Sequence, residues 1–250
     1  MADPILISAA DGVQTIRFNR PDKKNAITTD MYGAMADALQ AGDADDSVRV
    51  HLFLGCEGAF TAGNDIGDFI RAATDGGLGG NVLRFLKALA SAAKPVVAGV
   101  DGLAIGVGTT MILHCDLAYA SPRALFRTPF VDLGLLPEAA SSLLAPRLMG
   151  HVRAFELLAA GKPFSAEQAL ACGMINAVVD ENDLESAALG AAANLAGKPP
   201  EALLLARRLL RGDPADVLRR IDEEAEHFVE RLRSHEAQAA FAAFMNRDKA

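Results

Sequence analysis

The stretch "DGLAIGVGTTMILHCDLAYAS", residues 101–121, decides the fold. It follows "KPVVAGV", an apolar run of the kind that makes a strand buried on both faces. Gly102, Gly106 and Gly108 then interrupt the run. "GVGTTMILH" reads as a short helix, and "CDLAYAS" reads as a return to strand. The pattern is strand, glycine-rich turn, helix, strand. Glycines in such a turn let the backbone approach a ligand and leave N–H groups pointing at it.

The same pattern lies upstream. "VRVHLFLG" is a second buried strand, and "GAFTAGNDIGDF" (58–69) follows it with small residues, Gly63 and a helix start. Each turn alone reads as an ordinary strand-to-helix connection. Two of them, each after a strand, can supply one N–H each to a two-donor oxyanion hole.

Further outward, "ILISAADGVQTIRF" predicts a hairpin about Asp11-Gly12. Thr28 or Thr29 caps a helix whose Met31, Met35 and Leu39 share one face. A glycine-rich loop at 76–80 precedes another helix, and "ALFRTPF" reads as a further short strand. From 151 the chain reads as mostly helical. "HVRAFELLAAG" ends at Gly161, Ser165 and Gln168 form a capping box, and "MINAVVD" is a short strand. Pro199-Pro200 opens a helix, and a charged amphipathic stretch runs from about 214 onward. Strands alternating with helices predict an α/β fold for the first 180 residues, with a helical tail.

The 250 residues are 51% hydrophobic and carry a formal net charge of -8. That balance disfavours nucleic acid and anionic membranes, which reward clustered Lys and Arg. No apolar run is long enough to span a bilayer. Cys56, Cys115 and Cys172 match no metal or disulfide spacing and read as reduced thiols. "MADPILISAA" lacks a signal-peptide pattern and the final "DKA" is no peroxisomal address, so the expected location is cytoplasmic. The five histidines show no metal-binding spacing, and His114, in an apolar run, reads as a satisfied core residue. Asp116 and Asp132 are weaker acid–base candidates. Neither a metal nor a redox cofactor is expected.

"LLPEAASS", 135–142, holds Glu138 directly after Pro137. One reading is a first-turn carboxylate that complements a helix dipole. The other is a general base, whose pKa apolar surroundings would raise.

Taken in order along the chain, these stretches resemble the crotonase family, the enoyl-CoA hydratases and isomerases. The resemblance rests on "RPDKKNAI" (20–27), "GAFTAGNDI" (58–66), "DGLAIGVGTTMILHCDLAYAS" (101–121), "ALFRTPFVDLGLLPE" (124–138), "GKPFSAEQALACGMINAVV" (161–179) and "EAQAAFAAFMNRDK" (236–249). It implies a crotonase-type spiral of ββα units over 1–195, with a helical region over 196–250 that serves oligomerisation and completes the CoA site. It also implies a homotrimer or dimer of trimers, and an acyl-CoA thioester as substrate.

By the same resemblance, the N–H groups of Ala62 and Val107 hold the thioester oxygen. Lys24, Ala26, Gly63, Asn64, Asp65, Ile66, Phe69, Gly106 and Phe130 contact the substrate. Lys23 or Lys24, or Arg247 or Lys249, meets the CoA phosphates, and Phe69, Phe85 and Phe130 form an apolar wall. The typical hydratases carry two glutamates at the positions that hold Thr110 and Phe130 here. That departure disfavours hydration. Glu138 and Asn64 resemble the peroxisomal-type Δ3,Δ2-enoyl-CoA isomerases instead, with Glu138 as the single base. The alternatives are a hydratase or other thioester reaction helped by Asp132 or an ordered water, and a non-catalytic acyl-CoA-binding oligomer.

Overall fold

The computed structural model describes residues 3–68 and 79–247, with side chains through 243. Strands β1 (Ile5–Ala10) and β2 (Val13–Phe18) form the expected hairpin, with Ala10 opposite Val13. Asp11 and Gly12 both take positive φ, the two-residue turn that matches strand twist. Helix α1 (Thr29–Ala44) starts where the Thr28 hydroxyl accepts the Met31 N–H, so Thr28 is the cap. Its Met31, Met35 and Leu39 are buried. Strand β3 (Val50–Leu54) is buried throughout. His51 sits within it because its ring nitrogens reach Gln14 Oε1 at 2.8 Å and Asp43 Oδ1 at 3.0 Å.

The chain then runs through β4 (Ala59–Thr61), α2 (Gly80–Ser91), β5 (Val96–Val100), β6 (Leu103–Ile105), α3 (Val107–Thr110), β7 (Leu117–Ala120) and β8 (Leu125–Arg127). Strands β3, β5 and β7 lie side by side in parallel in one sheet, while β4, β6 and β8 do the same in a second. Each repeat thus contributes one strand to each sheet, and the chain advances by one strand position per turn. This is the spiral of ββα units. The first sheet has the order β1-β2-β3-β5-β7-β10, with β10 (Ala177–Val178) at its edge. The second has the order β4-β6-β8-β9, where β9 (Phe164–Ser165) pairs antiparallel to β8.

Helix α4 (Ser141–Leu158) starts well before residue 151 and bends at Gly150, so the stretch read as the first helix of a helical half is the second half of this one. It ends before Gly161. Helix α5 (Ala166–Ala171) carries the Ser165–Gln168 capping box. Helix α6 (Leu184–Ala196) lays Ala188 and Ala192 on the first sheet, against Val50, Leu52 and Val97.

Helix α7 (Pro200–Arg211) has no buried residue. The long amphipathic stretch is two helices, α8 (Ala215–Leu232) and α9 (His235–Arg247), broken at Arg233–Ser234. Helix α8 packs on α2 and α4, and its Ile221, Phe228 and Leu232 join the same core as α1 and α2. The three cysteines are free thiols. Among the described residues, no helix is long and apolar enough to cross a membrane.

Candidate active site

The two glycine turns meet because β4 and β6 are neighbours in one sheet. A Cβ on Gly63 would stand 2.9 Å from the Ile105 carbonyl oxygen, and one on Gly108 would stand 2.5 Å from Thr61 Cγ2. Only residues without side chains let the turns approach this closely.

The first turn is braced from behind by "KKNAI". Buried Asn25 donates to the carbonyls of Ala59 and Phe60, and the Thr61 hydroxyl donates to the Asn25 carbonyl. The Ala62 N–H donates to the Lys24 carbonyl at 2.9 Å, and the Gly63 N–H to Thr61 Oγ1 at 3.0 Å. Ala62, expected as the first oxyanion donor, therefore has its N–H already engaged. Among the described residues, the Asn64 N–H has no partner. In this turn the N–H left open lies two positions further on, because the Lys24 carbonyl takes the Ala62 N–H.

The second turn is tied down by Thr109, whose hydroxyl donates to the Ala104 carbonyl and accepts the Arg127 N–H. Val107, the first residue of α3, has no intrahelical acceptor, and its N–H is likewise unpartnered among the described residues. Asn64 and Val107 thus each leave a backbone donor open, one in the first turn and one in the second.

Glu138 is not in a helix. It precedes α4 by three residues and is 7% exposed. The Thr110 hydroxyl donates to its Oε1 at 2.6 Å. Burial pushes its pKa up to about 7, against the Thr110 hydrogen bond and with a further push from the charge of Glu224. A carboxyl poised there can take and return protons near neutral pH.

Tyr32, fully buried on α1, donates to Asn64 Oδ1 at 2.5 Å. Burial and the nearby Glu138 charge raise its pKa well above the usual phenol value, so it remains a donor. Phe130 is buried, and its ring edge lies 4.0 Å from where a Gly106 Cβ would stand. Of the two positions that depart from the hydratase pattern, Thr110 thus gives Glu138 a hydroxyl, and Phe130 sets an aromatic ring beside the second glycine turn.

The other expected residues divide. Asp65 accepts from Arg20 Nη1 at 2.7 Å and from the N–H of Gly67 and of Asp68, which makes it a structural brace for the helix start at Ile66. Ala26, Asn64 and Ile66 are half-buried beside this turn, while Lys23 and Lys24 are exposed. Phe69, Lys249, most of the glycine-rich 72–80 loop and the side chain of Arg247 lie outside the described residues. Phe85 is fully buried, with its ring 5.5 Å from that of Tyr32. Asp116 accepts from the Val96 N–H and from Arg207, and Asp132 from Arg127, so both are occupied structurally.

His114 is only half satisfied. Its Nε2–H donates to the Ala139 carbonyl at 2.7 Å, but Nδ1 has no partner among the described residues. Burial pushes its pKa down to about 4, so the ring is neutral and one nitrogen remains an unused acceptor.

Sequence reading missed Tyr32 and Glu224. Tyr32 carried no signal beyond helix position. Glu224 did carry one: an acid on the apolar stripe that holds Ile221 and Phe228.

The sequence profile of the enoyl-CoA hydratase/isomerase family matches residues 8–250. The chain belongs to this family. Among enoyl-CoA hydratase/isomerase proteins, it is 37% identical to "Enoyl-CoA delta isomerase 2" of Rattus norvegicus over 88% of this chain and 57% of that protein. The chain therefore spans a little over half the length of that relative. It is 33% identical to "1,2-epoxyphenylacetyl-CoA isomerase" of Escherichia coli (strain K12), over 98% of this chain and 96% of that one. OdaA of Pseudomonas aeruginosa superimposes with a TM-score of 0.92 at 42% identity, covering 98% of this chain and 99% of that one.

Proposed function

We propose that this crotonase-family chain is an acyl-CoA enzyme that moves a 3-enoyl-CoA double bond to the 2-trans position. The observation that carries the reading is the buried Glu138, poised near pKa 7 and hydrogen-bonded to Thr110, one of the two positions at which the family's hydratases would carry a glutamate. Glu138 takes the C2 proton as the C2–H bond breaks, and the electron pair spreads through a dienolate onto the thioester oxygen. The N–H groups of Asn64 and Val107 stabilise that charge. Loss of one such donor typically costs about 3 kcal/mol. Protonated Glu138 then delivers the proton to C4, and the base is regenerated. No water is consumed, so one carboxyl suffices.

The reaction as proposed draws on protein groups alone, with CoA entering as part of the substrate. Names among the relatives support the isomerase reading, since both the rat and the Escherichia coli proteins are called isomerases of CoA thioesters. A homotrimer or dimer of trimers in the cytoplasm completes the proposal, with the exposed leucines of α7 facing another copy of the chain.

The test compares 3-hexenoyl-CoA with crotonyl-CoA, using wild type and Glu138→Gln. We expect wild type to isomerise 3-hexenoyl-CoA, with the variant slower by roughly 10²–10⁴-fold. Hydration of crotonyl-CoA at a higher rate, surviving in the variant, would place the base elsewhere.

A further inference from the structure

We propose that Glu224, on α8, is a positioning residue for Glu138, holding the turn that presents it by accepting the N–H groups of Ala140 and Ser142. This rests on the reading of Glu138 as the base.

The turn needs holding. Ala139 and Ala140 directly follow Glu138 and both take left-handed conformations, φ 61° and 54°. Residues with a Cβ avoid that region unless their surroundings enforce it. Two buried groups do so here. His114 Nε2–H donates to the Ala139 carbonyl at 2.7 Å, while Glu224 Oε2 accepts the Ala140 N–H at 2.6 Å and Oε1 the Ser142 N–H at 3.0 Å. Arg220, one turn earlier on α8, adds a bond from Nη1 to Ser142 Oγ at 2.9 Å.

Glu224 is 4% exposed, and it comes from more than 80 residues further along the chain. An ordinary helix cap is local and solvated. A buried carboxylate from a distant helix is an expensive way to cap a helix, and it fixes a geometry.

The arrangement also couples two charges. Glu138 faces the Thr110 hydroxyl, the Tyr32 phenol and the field of Glu224, while Glu224 faces the two N–H groups, Ser142 and Arg220. His114, beside the turn, is neutral. Burial pushes Glu224 up to about 6, against its hydrogen bonds and Arg220. Ionised, it disfavours a second negative charge on Glu138 and so raises the proton affinity of the base. Removing its charge lowers the Glu138 pKa.

The experiment measures kcat, KM and the acid limb of the pH profile on 3-hexenoyl-CoA for wild type, Glu224→Gln, Glu224→Asp and Glu138→Gln. Glu224→Gln is expected to lower kcat ~10-fold or more with KM changed less than about twofold, because a misplaced base slows chemistry without touching the ligand. Its acid limb is expected to move to lower pH. Glu224→Asp keeps the charge and one N–H contact, so it should recover part of kcat and leave the limb near its wild-type position. It also serves as the readout if the Gln variant does not fold. Wild-type kcat and limb in a folded Glu224→Gln protein would overturn the proposal. So would a lower melting temperature with an unmoved limb, which would make Glu224 a helix cap only. An active Glu138→Gln protein would instead overturn the reading of the base, and that outcome is read from a separate variant.

Discussion

Glu138 carries opposite demands for activity and for stability. Catalysis needs it ionised, so kcat/KM should rise with pH through about 7 in a pH–rate profile. Thr110 donates to its charged form, and Thr110→Val should therefore move that limb to higher pH by removing the one group that favours ionisation. An unmoved limb would mean that Thr110 does not address the base in solution. Stability runs the other way. A carboxyl whose folded pKa is raised contributes its full stability below its unfolded value, near 4.5, and loses it as pH rises through about 7. Glu138→Gln should then stabilise the protein by about 3 kcal/mol at pH 8 and by little at pH 4.5, measured by denaturant unfolding at both pH values. Equal effects at the two would sink the claim that burial sets this pKa.

Between elements, the site depends on β4 and β6 delivering their turns into contact. Gly108 is the tightest point. A methyl there would meet Thr61 Cγ2 at 2.5 Å, and Thr61 cannot swing away without losing its bonds to the Asn25 carbonyl and the Gly63 N–H. Gly108→Ala should lower stability by roughly 1–3 kcal/mol and also reduce kcat, since both oxyanion turns shift together. A neutral melting temperature with full activity would show that the turns tolerate separation. Local signals were legible at this scale. The Asp11-Gly12 hairpin, the Thr28 cap and the Ser165–Gln168 capping box all follow from contacts within four residues. The start of α4 was not legible, because Ser141 begins a helix only after two left-handed alanines held by residues far away in sequence.

Across the whole molecule, the spiral sends alternate strands to two sheets and leaves the C-terminal helices to close over the core. Helix α8 is buried on one side, whereas α7 is not covered, and its Leu209 and Leu210 are 74% and 88% exposed. Leucines so exposed fit a contact with another copy of the chain. Light scattering should report an assembly larger than one chain, and Leu209→Glu with Leu210→Glu should shift it toward smaller species. A monomeric wild type would remove that assignment.

The sequence by itself determined the α/β alternation, the glycine turns, the family and the presence of Glu138, because these rest on short-range periodicity and ordered motifs. Tertiary structure alone decided which N–H groups are free. Asn64 rather than Ala62 is open because Lys24, from a different element, consumes the Ala62 donor. It also decided that Glu138 is buried, bonded to Thr110 and presented by a turn that His114 and Glu224 clamp. A hydrogen bond between residues far apart in the chain, and the loss of water that raises a carboxyl's pKa, exist only once the sheets and the last helices have come together.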